Sequence, residues 1–206
     1  MTQTIVPAAF TAVLLAGGRS TRMGRDKAGL LFQGQPLWEL QLSKLRALSP
    51  AEILISGHKD GPYSAAGVEL VFDPEPGLGP LGGLCAAMQR CTSPLLLVLA
   101  IDLPAMTAAY LHSLLAEGRG VVPQNAQWYE PLTAIYPRAA LPLLEESLRT
   151  SDRSLQQFVR RAVAAGLIEP RAISSAEQPL FRNINTPADH GGLSFESAAR
   201  HPQLPG

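Results

Sequence analysis

Residues 13–27 read VLLAGGRSTRMGRDK, an apolar run stopped by two glycines and followed by arginines, a third glycine and a lysine. Glycine lets a backbone turn tightly and leaves its N–H groups open to a ligand. Successive open N–H groups form an anion-binding concavity. Arg19, Arg22, Arg25 and Lys27 add the positive charge that a triphosphate requires. The pattern predicts a phosphate cradle at a strand-to-loop turn. Two common cradles are excluded. Lys27 is followed by Ala28 and no glycine–lysine pair occurs, and Gly17-Gly18 lacks the alternate glycine spacing of the dinucleotide fingerprint.

A cradle of this kind needs partners on the same edge. In open parallel sheets ligands bind outside the carboxyl ends of the strands. Predicted strands end at Ala16-Gly17-Gly18, at Ser56-Gly57, at Asp73 and at Ile101-Asp102-Leu103-Pro104. A carboxylate directly after a run as apolar as residues 95–101 is costly if unpaired. Bound Mg²⁺ relieves that cost, because magnesium is held by one or two carboxylates together with substrate phosphates. The other role open to Asp102, capping the next helix, suits Thr107 better. Asp73 either serves the site or starts the Asp73–Gly77 turn. The glycine-rich Gly77–Gly83 segment precedes a predicted helix and offers a second backbone surface for an anion. Asn183 and Asn185 alternate along a predicted strand over Phe181–Asn185, late in the chain and away from the cradle. Their amides would share one face and meet a polar ring system; a turn or helix cap before Pro187 is the other reading.

Other chemistries find no support. His58, His112, His190 and His201 share no metal-ligand spacing with one another or with the cysteines, and each reads as a surface or core residue. Ser20, Ser43 and Ser56 lack the context of a nucleophile elbow. Zero formal net charge argues against non-specific nucleic-acid binding. Cys85 and Cys91, six apart in a predicted helix, face apart, so a disulfide is not expected and the reducing cytoplasm is the expected compartment. The longest apolar run, Leu95–Leu103, is broken by Asp102 and is too short to span a bilayer. Met1–Ala8 lacks the positive charge of a signal peptide.

The elements that must carry these residues alternate. Strands are predicted over Thr11–Ala16, Ile53–Ser56, Val68–Asp73 and Leu95–Ile101. Helices are predicted over Pro36–Leu48, Pro80–Arg90 and Thr107–Ala116, the last capped at Thr107. Near-continuous apolar strands between helices indicate a parallel sheet covered on both faces. Past Gly118 the rhythm loosens into strands at Val121–Pro123 and Leu132–Tyr136, a hairpin or an antiparallel addition to the sheet. Helices at Ala139–Arg149 and Ser154–Ala165 follow. A length of 206 residues with 46% hydrophobic content suits one α/β domain spanning 1–206. The expected architecture is a doubly wound, mostly parallel sheet in three layers, Rossmann-like, with a frayed tail from about residue 191.

Taken together, LAGGxxxRMGxDK at residues 15–27 resembles the signature of the nucleotidyltransferases that activate sugars and cofactors. Gly34-Gln35-Pro36-Leu37, Gly79–Gly83, Asp102-Leu103-Pro104, Glu130-Pro131-Leu132 and Asn183–Pro187 extend the likeness to roughly residues 12–190, and narrow it to the molybdenum cofactor guanylyltransferases. The resemblance implies the nucleotidyltransferase fold and GMP transfer from GTP to molybdopterin or molybdenum-molybdopterin, with pyrophosphate released. Cytidylyl transfer to the same cofactor and nucleotidyl transfer to a sugar phosphate are the alternatives. It implies that Leu15, Ala16 and Gly17 contact the nucleotide, with Gly18 in the same cradle, that Arg22 and Lys27 bind its phosphates, that Asp73 touches the nucleoside and that Asp102 binds Mg²⁺. Ser56 stands where the family tends to place an asparagine on the nucleotide. Asn183 and Asn185 are then assigned to the acceptor. Other molybdenum cofactor biosynthesis proteins and client molybdoenzymes are the further partners implied. A phosphate acceptor, with its second pKa near about 6, is already ionised at neutral pH and needs no general base.

Overall fold

Phe10–Leu15 (β1) is six residues with every side chain buried, and the sheet is assembled around it. The computed structural model describes residues 9–17, 27–59, 61–73, 75, 77–150 and 152–184. After β1 comes a small hairpin, Leu31–Phe32 (β2) and Gln35–Pro36 (β3), whose turn residues Gln33 and Gly34 both have positive φ. That two-residue turn matches the right-handed twist of its strands. The chain continues through Leu37–Ala47 (α1), Glu52–Ser56 (β4), Glu69–Val71 (β5), Gly79–Arg90 (α2), Leu95–Ala100 (β6) and Ala108–Leu115 (α3). Then follow Val121–Asn125 (β7), Trp128–Tyr129 (β8), Thr133–Pro137 (β9), Leu141–Arg149 (α4), Leu155–Ala164 (α5) and Glu169–Ala172 (β10).

The main sheet runs β10-β7-β9-β6-β1-β4-β5, with β8 paired to β7. Pairings β6–β1, β1–β4 and β4–β5 are parallel, while β9 is antiparallel to both of its neighbours. Side chains of a strand alternate between faces, and the two cores divide accordingly. Ala12, Leu14, Leu97 and Leu99 pack beneath α1 and α3; Val13, Leu15, Leu96 and Val98 pack beneath α2, α4 and α5. Each helix supplies one apolar face, such as Leu81, Leu84, Cys85 and Met88 on α2. Burying each such leucine contributes roughly 1.5–3 kcal/mol. The result is the expected three-layer, doubly wound and mostly parallel fold.

Four expectations shift. The strand predicted over Val68–Asp73 ends at Val71, and Phe72 and Asp73 turn out at its carboxyl end. The region after Gly118 is both a hairpin and an antiparallel addition, because β7 pairs with β8 as well as β9. Glu169–Ala172 is a strand that the sequence did not mark; three of its four residues are exposed, so no apolar periodicity announces it. Finally, the strand predicted over Phe181–Asn185 is absent among its described residues. Gln178–Phe181 is a 3₁₀ turn and residues 182–184 have no regular structure. Cys85 and Cys91 are free, as expected of a pair not set to form a disulfide, and both are buried in the same core. Cys91 caps α2 in an extended conformation and so leaves the helical spacing. Burial pushes the Cys85 thiol up to about 11. The tail predicted from about residue 191 lies outside the described residues.

Candidate active site

Parallel pairing of β6, β1, β4 and β5 brings their carboxyl ends to one edge. The register sets Leu15 beside Ser56 on one side and Ala100 on the other, and Ser56 beside Val71. A cleft of about 700 Å³ opens there, within the range of roughly 300–1,000 Å³ typical of small-molecule sites. Its walls are Leu15 and Gly17 at the end of β1, Ser56 to Lys59 at the end of β4, Phe72 and Asp73 after β5, and Gly77, Gly79, Pro80 and Gly83 around the start of α2.

The predicted residues do not all reach this cleft in the way expected. The N–H groups of Ala16 and Gly17 are not open; both donate to the Ser56 carbonyl, at 2.8 and 3.0 Å. They lock β1 to β4 and leave Leu15 and Gly17 to face the cleft. Gly18 and Arg22 lie outside the described residues. Lys27 begins a 3₁₀ turn, Lys27–Gly29. Ser56 is buried, and Asp73 stands beside it at the first turns of α2. A Cβ added at Gly83 would fall 2.5 Å from Ser56 Oγ and 3.3 Å from Asp73 Oδ1. One at Gly82 would lie 3.2 Å from the Asp73 carboxyl. Absence of side chains at these two positions is what lets the helix start sit directly against both groups. The N-terminus of α2 has no side-chain cap, and Gly79 opens it at φ 61°. An uncapped helix start of this kind favours an anion.

Three wall residues were missed by the sequence. Phe72 is 48% exposed, an unusual level for a phenylalanine. His58 and Lys59 are exposed, His58 being the surface residue expected, and both line the cleft. Burial raises the Asp73 carboxyl above its ordinary range, and the charge of His58 opposes that rise. The His58 N–H donates to the hydroxyl of the fully buried Tyr63. The only sequence signal for these residues is their place just after strands β4 and β5.

Asp102 sits one strand away from the cleft, in the turn after β6. Thr107 Oγ1 accepts from the Tyr110 N–H at 3.2 Å, so Thr107 is the cap of α3. The Ile101 N–H donates to the Leu15 carbonyl, which places the Asp102 turn beside the end of β1. The Leu132 carbonyl accepts from Ala100, and the Ile184 N–H donates 2.9 Å to the Asp102 carbonyl. Asn183 is exposed next to that bond. The described part of the Asn183–Asn185 segment borders the Asp102 turn. Asn185 itself lies outside the described residues. Glu130 is half-buried near Leu132, and burial raises its carboxyl.

No cluster of three or more His, Cys, Asp or Glu able to hold a metal occurs among the described residues. Asp102 offers a carboxylate, a hard oxygen donor, in the turn one strand away from the cleft. That fits Mg²⁺, which takes few protein ligands and draws the rest of its shell from phosphates and water. Among the described residues no helix is long and apolar enough to cross a membrane.

Residues 12–166 match the family model described as a MobA-like NTP transferase domain. The chain belongs to that family. Its matched segment contains the strand ends, the glycine-rich start of α2 and the Asp102 turn. Among relatives of this MobA-like chain, a protein of Opitutus terrae named a probable molybdenum cofactor guanylyltransferase is 37% identical, covering 88% of this chain and 93% of its own length. A molybdenum cofactor guanylyltransferase of Xanthomonas euvesicatoria is 32% identical over 91% and 96%. A solved structure of molybdopterin-guanine dinucleotide biosynthesis protein A from Archaeoglobus fulgidus superposes with a TM-score of 0.71, at 25% identity, covering 87% of this chain and 94% of that one. MobA-like membership makes the chain a nucleotidyltransferase.

Proposed function

We propose that this enzyme transfers GMP from GTP to the phosphate of molybdopterin or molybdenum-molybdopterin. The observation that carries the reading is the joining, at one sheet edge, of a nucleotide-sized cleft to a separate carboxylate-bearing turn. Guanylyltransferase relatives over nearly the whole length support the choice of substrates. GTP takes the cleft: Leu15, Ala16, Gly17 and Gly18 follow the nucleotide, Ser56 and Asp73 face its nucleoside, and the start of α2 meets its anionic part. Arg22 and Lys27 neutralise the phosphates. The acceptor approaches Asp102 from the other side, where Glu130-Pro131-Leu132 and Asn183 lie, and Asn185 is assigned to the same substrate.

An oxygen of the acceptor phosphate attacks the α-phosphorus of GTP. The bond from that phosphorus to the β-phosphate oxygen breaks, and pyrophosphate leaves. The attacking group is already an anion, so the protein needs no histidine, serine or cysteine as base or nucleophile. Its residues hold two polyanions in line and neutralise their charge. Asp102 would hold Mg²⁺, which when bound would supply Lewis-acid polarisation of the α-phosphate and charge for the leaving group. Pyrophosphate release measured with molybdopterin and, in turn, GTP, CTP, ATP and UTP tests the reading. Release with GTP well above the other three is expected. Release with CTP, or with a sugar phosphate in place of molybdopterin, would replace the proposed substrates.

A further inference from the structure

Every backbone carbonyl from residue 100 to residue 104 has a partner, and most of those partners come from one face of α1. Gln41 is fully buried. Its side-chain Nε2 donates to the Leu103 carbonyl at 2.8 Å, to Ala100 at 3.1 Å and to Ile101 at 3.4 Å. Its Oε1 accepts from Lys44 Nζ at 2.7 Å, and the same ammonium donates to the Pro104 carbonyl at 2.7 Å. The Asp102 carbonyl takes the Ile184 N–H. Three carbonyls at one end of the Gln41 amide and an ammonium at the other admit a single orientation. This is a polar network inside an otherwise apolar layer, and it holds only the turn that carries Asp102.

We infer that Gln41, steadied by Lys44, is a positioning residue that presets the Asp102 carboxylate for the divalent cation and α-phosphate. The inference rests on the role proposed for Asp102. A fully satisfied buried network rigidifies what it holds. A displacement of about 1 Å in such a site costs turnover about a hundredfold. The network touches neither the cleft wall nor the described part of the glycine-rich turns, so its loss should spare metal-free nucleotide binding.

The test is titration calorimetry of a non-hydrolysable GTP analogue, with and without Mg²⁺, alongside kinetics. Gln41→Met keeps the volume and removes the amide. It should leave metal-free affinity within about twofold and cut the enhancement given by Mg²⁺ at least about fivefold. Turnover should fall at least about tenfold with KM for GTP little changed. In an Asp102→Asn background the same substitution should change nothing further, which a general packing role would not produce. A loss that persists in full in that background overturns the inference, as does an unchanged Mg²⁺ enhancement in Gln41→Met. If Asp102→Asn itself leaves the enhancement intact, the metal role of Asp102 falls and the positioning role with it. Should Gln41→Met fail to fold, Lys44→Met removes only the tether on Pro104 and on the Gln41 oxygen. A smaller loss of enhancement, about threefold, supports the inference in that variant, and an unchanged value overturns it.

Discussion

Gly17 separates binding from folding at a single atom. It lies outside the left-handed region, and an added Cβ would meet nothing nearer than 3.8 Å. Gly17→Ala should therefore leave the melting temperature within about 2 °C, yet weaken GTP at least about tenfold by filling the space the nucleotide needs. Normal GTP affinity in that variant would remove Gly17 from the cleft's function. Asp102→Asn makes the complementary case. The backbone of its turn is held by Gln41, Lys44 and Ile184, so the melting temperature should stay within a few degrees, about 3 °C. Turnover should fall at least about a hundredfold; near-normal turnover in Mg²⁺ would leave the metal without its ligand. Asp73 carries a pH signature. Burial raises its folded pKa above the ordinary 3.8, so the folded state holds its proton more tightly than the unfolded chain. Stability from this group then falls as pH rises from the unfolded pKa through the folded one. Asp73→Asn should raise the melting temperature of the ligand-free protein at neutral pH and leave it nearly unchanged near pH 3. The opposite order would mean that His58, not burial, dominates.

Elements meet this site through contacts that tolerate no extra atom. The first turns of α2 rest on Ser56 and Asp73 because residues 82 and 83 are glycine. Gly83→Ala would drive a methyl to 2.5 Å from Ser56 Oγ, and overpacking of this kind costs about 1–3 kcal/mol. Circular dichroism melts should show that loss, and GTP affinity should drop with it as α2 lifts from the cleft. Unchanged melting and affinity would show that α2 has room to yield. The C-terminal segment is held differently. Phe181 stands edge-on to Tyr110 at 5.3 Å, and the Arg171 guanidinium lies over the Tyr110 ring, 5.0 Å from its centroid, while bonding Ser113 and Glu177. That aromatic and cationic anchor is what brings Ile184 to the Asp102 turn, a placement that no strand pairing supplies.

Across the whole molecule, protection from exchange should follow the sheet order. β1 and β6 are central and buried at every position, whereas β10 and β5 close the two edges of the main path. Native-state hydrogen exchange should be slowest in β1 and β6 and fastest in β10; a slow β10 would indicate that its exposed edge is covered. Much of this architecture was legible in local pattern. Unbroken apolar runs such as 95–100 are buried on both faces, and a strand's exit into glycine or aspartate is visible without any fold. Thr107 as a cap follows from its own side chain and the helix after it. What could not be read along the chain depends on approach between distant segments. The Gln41 amide and the Leu103 carbonyl are 62 residues apart, and Gln41 occupies an ordinary position on an amphipathic helix until α1 is packed under β6. Phe72 and His58 became cleft walls only when β4 and β5 paired in parallel. Residues 183–184 came to Asp102 because Tyr110 and Arg171 hold the preceding turn. Local periodicity encodes which face of an element is apolar; packing alone sets which polar groups those faces bring within 3 Å of one another.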